Sequence, residues 1–162
     1  MIPLVDLKAQ YESIKGEIDG GIAEVLESCQ FVLGPKVEAF EADFAAYCQS
    51  RFAFGVNSGT SALHLALLAA GVGPGDEVIT VSYTFVATVA AILYTGATPV
   101  LIDIDPLTCN IDPAKIEGAI TPKTKVIMPV HLYGTCAEMD LAACGRAIAV
   151  RHVDDGDWRL AE

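Results

Sequence analysis

The sequence predicts an α/β fold, in which a parallel or mixed sheet is flanked by helices. Short, continuous apolar runs alternate along the 162 residues with segments whose apolar residues recur at three- and four-residue steps. Continuous apolar runs are expected of strands that helices cover on both faces of a sheet. Hydrophobic residues make up 52% of the chain and charged residues 19%, so there is enough apolar surface to form a core.

The N-terminal segment predicts two helices. Apolar residues recur along one helical face over residues 4–25, although three glycines weaken this helix. The segment 31–34 breaks the pattern. Pro35 then suits the first turn of a second helix, because the amide that proline lacks has no partner there. The second helix places Val37, Phe40 and Phe44 on one side.

The remainder of the predicted fold alternates strands with helices. We predict strands over 52–56, 77–81, 98–102 and 125–130. We predict helices over 60–70 and 84–94, and a short helix that Asp112 caps and Pro113 begins. In the helix over 84–94, the apolar spacing places four residues inward: Val86, Val89, Ala90 and Leu93.

Charge and cysteine content exclude several classes of function. A net charge of −11 argues against nucleic acid or an anionic membrane as a partner, because both would be repelled. The five cysteines are irregularly spaced, which predicts reduced thiols in a cytoplasmic protein and no metal site. The N-terminus lacks the features of a signal peptide. Gly71, Gly73 and Gly75 precede a strand, whereas the glycines of a dinucleotide fingerprint follow one.

The segment Ser58–Ser61 is the strongest local indication of a binding site. It joins the predicted strand 52–56 to a helix, and Gly59 allows the backbone to approach a ligand closely. Free amides and the helix dipole at such a terminus favour a phosphate. The alternative is an ordinary helix cap made by Ser58 or Thr60. The local pattern leaves both interpretations open.

Two further loops are predicted at the same edge of the sheet, because ligands of parallel α/β sheets lie beyond the carboxyl ends of the strands. These loops are residues 82–85, which contain Tyr83 and Phe85, and residues 131–134. A phosphate site beside an aromatic ring suggests a flat, phosphorylated cofactor.

The order of motifs resembles a known family. The stretches IPLVDLKAQY, FVLGPKVEAFEADFAAYC, GVNSGTSALHLAL, GVGPGDEVIT, TFVATVAAILYTGATPVLIDIDPLTCNID and MPVHLYG cover most of residues 2–140. Together they resemble the DegT/DnrJ/EryC1/StrS sugar aminotransferases, which are pyridoxal-phosphate-dependent enzymes of the aspartate aminotransferase fold, fold type I. The resemblance implies that residues 1–140 are the N-terminal part of the large domain. We expect 141–162 to be a divergent tail and the small C-terminal domain to be absent.

The resemblance implies a cofactor-binding role for five residues. Gly59, Thr60 and Ser61 match the turn that holds the cofactor phosphate, and Phe85 matches the aromatic residue that stacks on the pyridine ring. Asp155 is the candidate for the carboxylate that pairs with the pyridine nitrogen. The alternatives are a core phenylalanine at 85 and a solvated, charged tail around 155.

The resemblance also implies an activity for the intact protein. Family members transfer an amino group from an amino-acid donor to a nucleotide-linked keto-sugar, and they are homodimers. The lysine that attaches the cofactor follows the carboxylate region in the family, whereas all six lysines here precede residue 126. We therefore assign no catalytic residue and expect the isolated chain not to be catalytically competent. The alternatives are a non-catalytic cofactor-binding or dimerisation fragment, and a pyridoxal-phosphate-dependent sugar dehydratase of the same fold.

Overall fold

The computed structural model describes residues 5–139 and the backbone of two short strands, 149–150 and 160–161. The chain divides into two compact units, Met1–Gly55 and Val56–Glu162. Within the described residues, no helix combines the length and the apolar character that crossing a membrane requires.

The first unit contains two helices, α1 (Leu7–Ser28) and α2 (Pro35–Tyr47). The Asp6 side chain caps α1 by accepting a hydrogen bond from the Ala9 amide. Pro35 begins α2 directly after Gly34, which confirms the predicted start. Within α1, the hydrogen bond from Lys15 and then that from Tyr11 lower the pKa of Asp19.

The apolar face predicted for α1 exists, but it is exposed within the described residues. No residue of α1 is buried. Six large apolar side chains on this helix are between 37% and 68% exposed: Leu7, Tyr11, Ile14, Ile18, Ile22 and Leu26. Part of the same helix lines a shallow apolar groove, together with Phe31. The periodicity therefore gave the helix correctly but did not reveal what its apolar face packs against.

The second unit alternates helices and strands. Its elements are, in chain order, α3 (Gly59–Ala69), β1 (Glu77–Val81), α4 (Val86–Tyr94), β2 (Thr98–Ile102), α5 (Pro113–Ala119), β3 (Thr124–Met128), β4 (Ala149–Val150) and β5 (Leu160–Ala161). The first three strands form a parallel sheet in the order β2-β1-β3. β4 and β5 form a separate antiparallel pair. The predicted α/β class is thus confirmed.

Helices cover both faces of the parallel sheet. On one face, Val78 of β1 packs in a cluster with Leu63 and Leu67 of α3 and with Ala91 and Ile92 of α4. The neighbouring Ile79 belongs to the cluster on the other face. In that cluster it lies with Ile116 of α5, Ile127 of β3 and Val81 of β1. Successive strand residues therefore serve opposite cores, as the continuous apolar runs predict.

One predicted strand is not present. Residues 52–56 have no regular secondary structure, and Phe52 and Phe54 are 63% and 79% exposed. A strand requires a neighbour to satisfy its backbone groups, and no described strand pairs with this segment. An apolar run of five residues is therefore not sufficient to make a strand here.

The buried face of α4 also differs from the prediction. Ala87, Thr88, Ala91 and Ile92 are buried, whereas Val86 and Leu93, which were expected to face inward, are 69% and 56% exposed. Almost every residue of α4 is apolar, so that hydrophobic spacing could not distinguish its two faces. The small alanine side chains allow α4 to approach the sheet and α3 closely.

Candidate functional site

The segment Ser58–Ser61 forms the N-terminus of α3. Ser58 has an extended backbone, and its Oγ accepts a hydrogen bond of 3.1 Å from the Ser61 amide. The Ser58 and Ser61 hydroxyls lie 3.0 Å apart, and the Ala62 amide donates to the Ser58 carbonyl oxygen. The cap interpretation is therefore correct for Ser58 and is wrong for Thr60, which lies within the first turn.

The cap does not use all the donors of this turn. The amides at the first positions of a helix have no intrahelical acceptor. Ser58 takes the amide of Ser61, which leaves those of Gly59 and Thr60 directed out of the helix end. Gly59, Thr60 and Ser61 are all half-buried. The turn therefore combines backbone amides, two hydroxyl groups and the positive end of the helix dipole, which is the donor set that a phosphate requires.

The loop after β1 leads to Phe85. The Ser82 amide donates to the Ile102 carbonyl oxygen over 2.8 Å, which joins the start of this loop to the end of β2. The Thr84 and Thr88 hydroxyls are 2.9 Å apart at the start of α4. Phe85 immediately precedes α4 and is 70% exposed. The alternative interpretation of Phe85 as a core residue is therefore wrong for the described part of the chain.

The loop after β3 turns back at its tip. Leu132 and Thr135 form an isolated antiparallel bridge, and the Thr135 amide donates to the Leu132 carbonyl oxygen over 3.0 Å. The central residues of this turn, Tyr133 and Gly134, have φ angles of 54° and 76°. His131 is buried at the base of the loop, where its Nδ1 accepts a hydrogen bond from the Ala137 amide. The imidazole thus contacts the loop's own backbone.

The loops after β1 and β3 meet through two tyrosines. The Tyr83 and Tyr133 hydroxyl oxygens lie 2.9 Å apart, and the ring centroids are separated by 6.4 Å. Because β1 and β3 are adjacent parallel strands, both loops leave the sheet at its carboxyl edge. The sequence predicted that these loops share an edge, but it gave no indication of this contact.

Acidic residues after β2 stabilise a loop. Asp103 Oδ1 accepts from the Ile104 amide, and Asp105 Oδ1 accepts from the Leu107 amide. Both carboxylates therefore stabilise the local backbone of this loop. Within the described residues, no group of three or more His, Cys, Asp or Glu side chains is placed to bind a metal. Asp155, the candidate partner of the pyridine nitrogen, lies outside the described residues.

Sequence reasoning missed Asn110, which is 2% exposed. Its side chain forms hydrogen bonds with the backbone of both Leu132 and Thr135. A lone asparagine in a loop gives no sequence signal of this kind, because its partners are 22 and 25 residues away.

Comparison with known proteins identifies relatives over most of the chain. The "Pleiotropic regulatory protein" of Geobacillus stearothermophilus is 53% identical over 93% of this chain and 40% of that protein. The dTDP-3-amino-3,4,6-trideoxy-alpha-D-glucose transaminase of Streptomyces venezuelae is 50% identical over 93% of this chain and 39% of that enzyme. The chain therefore spans about 40% of the length of these curated relatives.

Solved structures give the same result. The S. venezuelae DesV structure, a complex with a ketimine intermediate, matches 93% of this chain and 42% of that one, with a TM-score of 0.86 and 49% identity. NtdA from Bacillus subtilis with bound cofactor PMP matches 93% of this chain and 36% of that one, with a TM-score of 0.84 and 38% identity. The sequence model of the DegT/DnrJ/EryC1/StrS aminotransferase family matches residues 12–152. The chain therefore belongs to the DegT/DnrJ/EryC1/StrS aminotransferase family, and its fold is part of the fold of that family.

Proposed function

We propose that these residues are the N-terminal part of the large domain of a pyridoxal-phosphate-dependent aminotransferase. In this proposal the intact enzyme uses an amino-acid donor to aminate a nucleotide-linked keto-sugar. The observation that carries the proposal is the Ser58–Ser61 turn, which offers phosphate donors in a chain of this family. The transaminase named among the relatives supports the sugar class.

The described residues fit the cofactor at two points. The amides of Gly59 and Thr60, with the hydroxyls of Thr60 and Ser61, would hold the phosphate. The exposed ring of Phe85 would stack on the pyridine ring, since aromatic faces bind flat rings. Asp155 would keep the pyridine nitrogen protonated. When bound, the cofactor supplies an electron sink for chemistry at the amino carbon.

The positions of the lysines bear on whether these residues attach the cofactor covalently. All six lysines lie at or before Lys125, ahead of the region proposed to contain the pyridine-nitrogen carboxylate. We infer that the 162 residues hold the cofactor without attaching it covalently. The attachment and the proton transfers that a lysine performs then belong to sequence beyond these residues.

The proposed protein is a cytoplasmic homodimer. The exposed apolar face of α1 supports pairing with a second copy, because an apolar face of this kind is usually buried against another protein surface. The charge of −11 supports the expectation that nucleic acid and membranes are not partners.

A matched pair of threonine variants tests the phosphate turn. Thr60→Val removes one hydroxyl, while Thr98→Val makes the same change at the start of β2, at the opposite edge of the sheet. Equilibrium dialysis should show that Thr60→Val binds pyridoxal phosphate about tenfold more weakly than the parent chain, because a hydrogen bond to an anion is lost. Thr98→Val should bind as the parent does. Equal affinity of the two variants would contradict the assignment of Thr60.

A further inference from the structure

Asn110 fastens the turn at the tip of the loop after β3. Its Oδ1 accepts from the Leu132 amide over 3.0 Å, and its Nδ2 donates to the Thr135 carbonyl oxygen over 3.0 Å. Because the Asn110 side chain donates one of these bonds and accepts the other, its amide group has a single orientation, and both its oxygen and its nitrogen have a partner. The side chain therefore bonds to the first and last residues of the four-residue turn.

The loop that carries Asn110 is itself closed. The Asp105 amide donates to the Asn110 carbonyl oxygen over 2.9 Å, and the Cys109 amide donates to the Asp105 carbonyl oxygen over 2.8 Å. Ile104 and Ile111 form an antiparallel bridge across the loop. Ile111 is 2% exposed and belongs to the core cluster that contains β1 and β3 residues. Asn110 thus extends from a segment that is anchored in the core.

The fastened turn holds Tyr133 in an unfavourable backbone conformation. Positive φ at both central residues is the pattern of a type I′ turn, which suits Gly134 but is costly for a tyrosine. Such a conformation persists where surrounding contacts impose it. The two Asn110 hydrogen bonds and the Leu132–Thr135 bridge hold the ends of this turn, and the turn places the Tyr133 hydroxyl 2.9 Å from that of Tyr83.

We propose that Asn110 is a positioning residue for the cofactor site, acting through the turn at 132–135 and the Tyr133–Tyr83 hydrogen bond to fix the loop that presents Phe85. Tyr83 lies two residues before Phe85 in the loop between β1 and α4. The contacts described restrain the loop between β1 and α4. The effect of that restraint on cofactor binding rests on the proposed function.

Hydrogen exchange of the full chain without cofactor tests the coupling. Tyr133→Phe removes one exposed hydroxyl, and Tyr47→Phe in α2 is the matched control, since both rings are about 70% exposed. Tyr133→Phe should speed amide exchange over 82–88 about twofold to tenfold, the loss expected for one hydrogen bond, with the melting temperature unchanged. Tyr83→Phe should also speed exchange over 82–88, because it removes the same Tyr83–Tyr133 hydrogen bond. Asn110→Ala should speed exchange over both 82–88 and 131–137.

The outcomes separate this inference from the proposed function. Should Asn110→Ala fail to fold, Tyr133→Phe still tests the hydrogen bond through which Asn110 would act on the loop. Exchange over 82–88 that matches the Tyr47→Phe control would overturn the inference, even if the parent chain binds pyridoxal phosphate. Faster exchange in a chain that does not bind the cofactor would support the positioning of the loop and contradict the proposed function. Where the parent does bind, Tyr133→Phe should weaken the affinity about twofold to tenfold.

Discussion

At the start of α3, one residue caps the helix and the next two leave their backbone amides free of intrahelical acceptors. Ser58 uses its side chain to cap the helix, whereas Gly59 and Thr60 direct their amides out of its end. The sequence left these two interpretations as alternatives because both arise from the same short hydroxyl-rich turn. The structure shows the cap and leaves room for the proposed anion site, since a serine cap consumes one amide of the several that a helix start exposes.

Two substitutions at Ser58 should separate the cap from the anion site. Ser58→Ala loses the cap and should lower the free energy of unfolding by about 1 kcal/mol. Ser58→Asp retains a capping oxygen and should unfold within about 0.5 kcal/mol of the parent. The added negative charge should nevertheless weaken pyridoxal phosphate binding, because it lies beside the Gly59 and Thr60 amides. Urea denaturation and equilibrium dialysis measure the two effects. Parent-like affinity in Ser58→Asp would place the phosphate elsewhere.

The role of Asn110 could not be predicted from the sequence. Gly59, Thr60, Ser61 and Phe85 stand in stretches that resemble a family, so a role could be proposed for each. Asn110 also stands in such a stretch, but its importance depends on a contact with a turn more than twenty residues away. Long-range hydrogen bonds of this kind leave no periodicity or spacing in the chain.

At the scale of elements, a prediction succeeded where the segment pairs with or packs against neighbouring strands and helices. The strands β1 and β2 begin and end where the sequence predicted, because each is a short, mostly apolar run that is bounded by turn residues. The run at 52–56 reads similarly, but no described strand pairs with it. For α4 the prediction of a helix is confirmed and the prediction of its buried face is wrong, since a helix that is apolar almost all round has no distinct apolar stripe.

Adjacent aliphatic residues of α4 provide a direct check of the observed face. Ile92 is fully buried, whereas Leu93 is 56% exposed. Ile92→Ala should lower the free energy of unfolding by about 2–5 kcal/mol, because it leaves a cavity in the core. Leu93→Ala should cost about 1 kcal/mol or less. Circular dichroism during urea unfolding measures both. A larger loss from Leu93→Ala would restore the face that the apolar spacing indicated.

For the whole molecule, the family is shown by the sequence match, whereas the activity is a proposal. The family match covers residues 12–152, while the chain spans about 40% of its curated relatives. The described residues contribute the turn proposed to hold a phosphate and an exposed aromatic ring, and all six lysines precede the region of Asp155. We propose that these 162 residues bind pyridoxal phosphate reversibly.

Intact-mass spectrometry after borohydride reduction tests this claim most directly. The chain is equilibrated with pyridoxal phosphate, retention is measured by dialysis, and a second portion is reduced before its mass is determined. We predict that the cofactor is retained at equilibrium and that the reduced protein keeps its unmodified mass, because reduction fixes only a covalently attached cofactor. One equivalent of cofactor fixed to a single lysine would contradict the account and show that this chain contains the attachment residue itself.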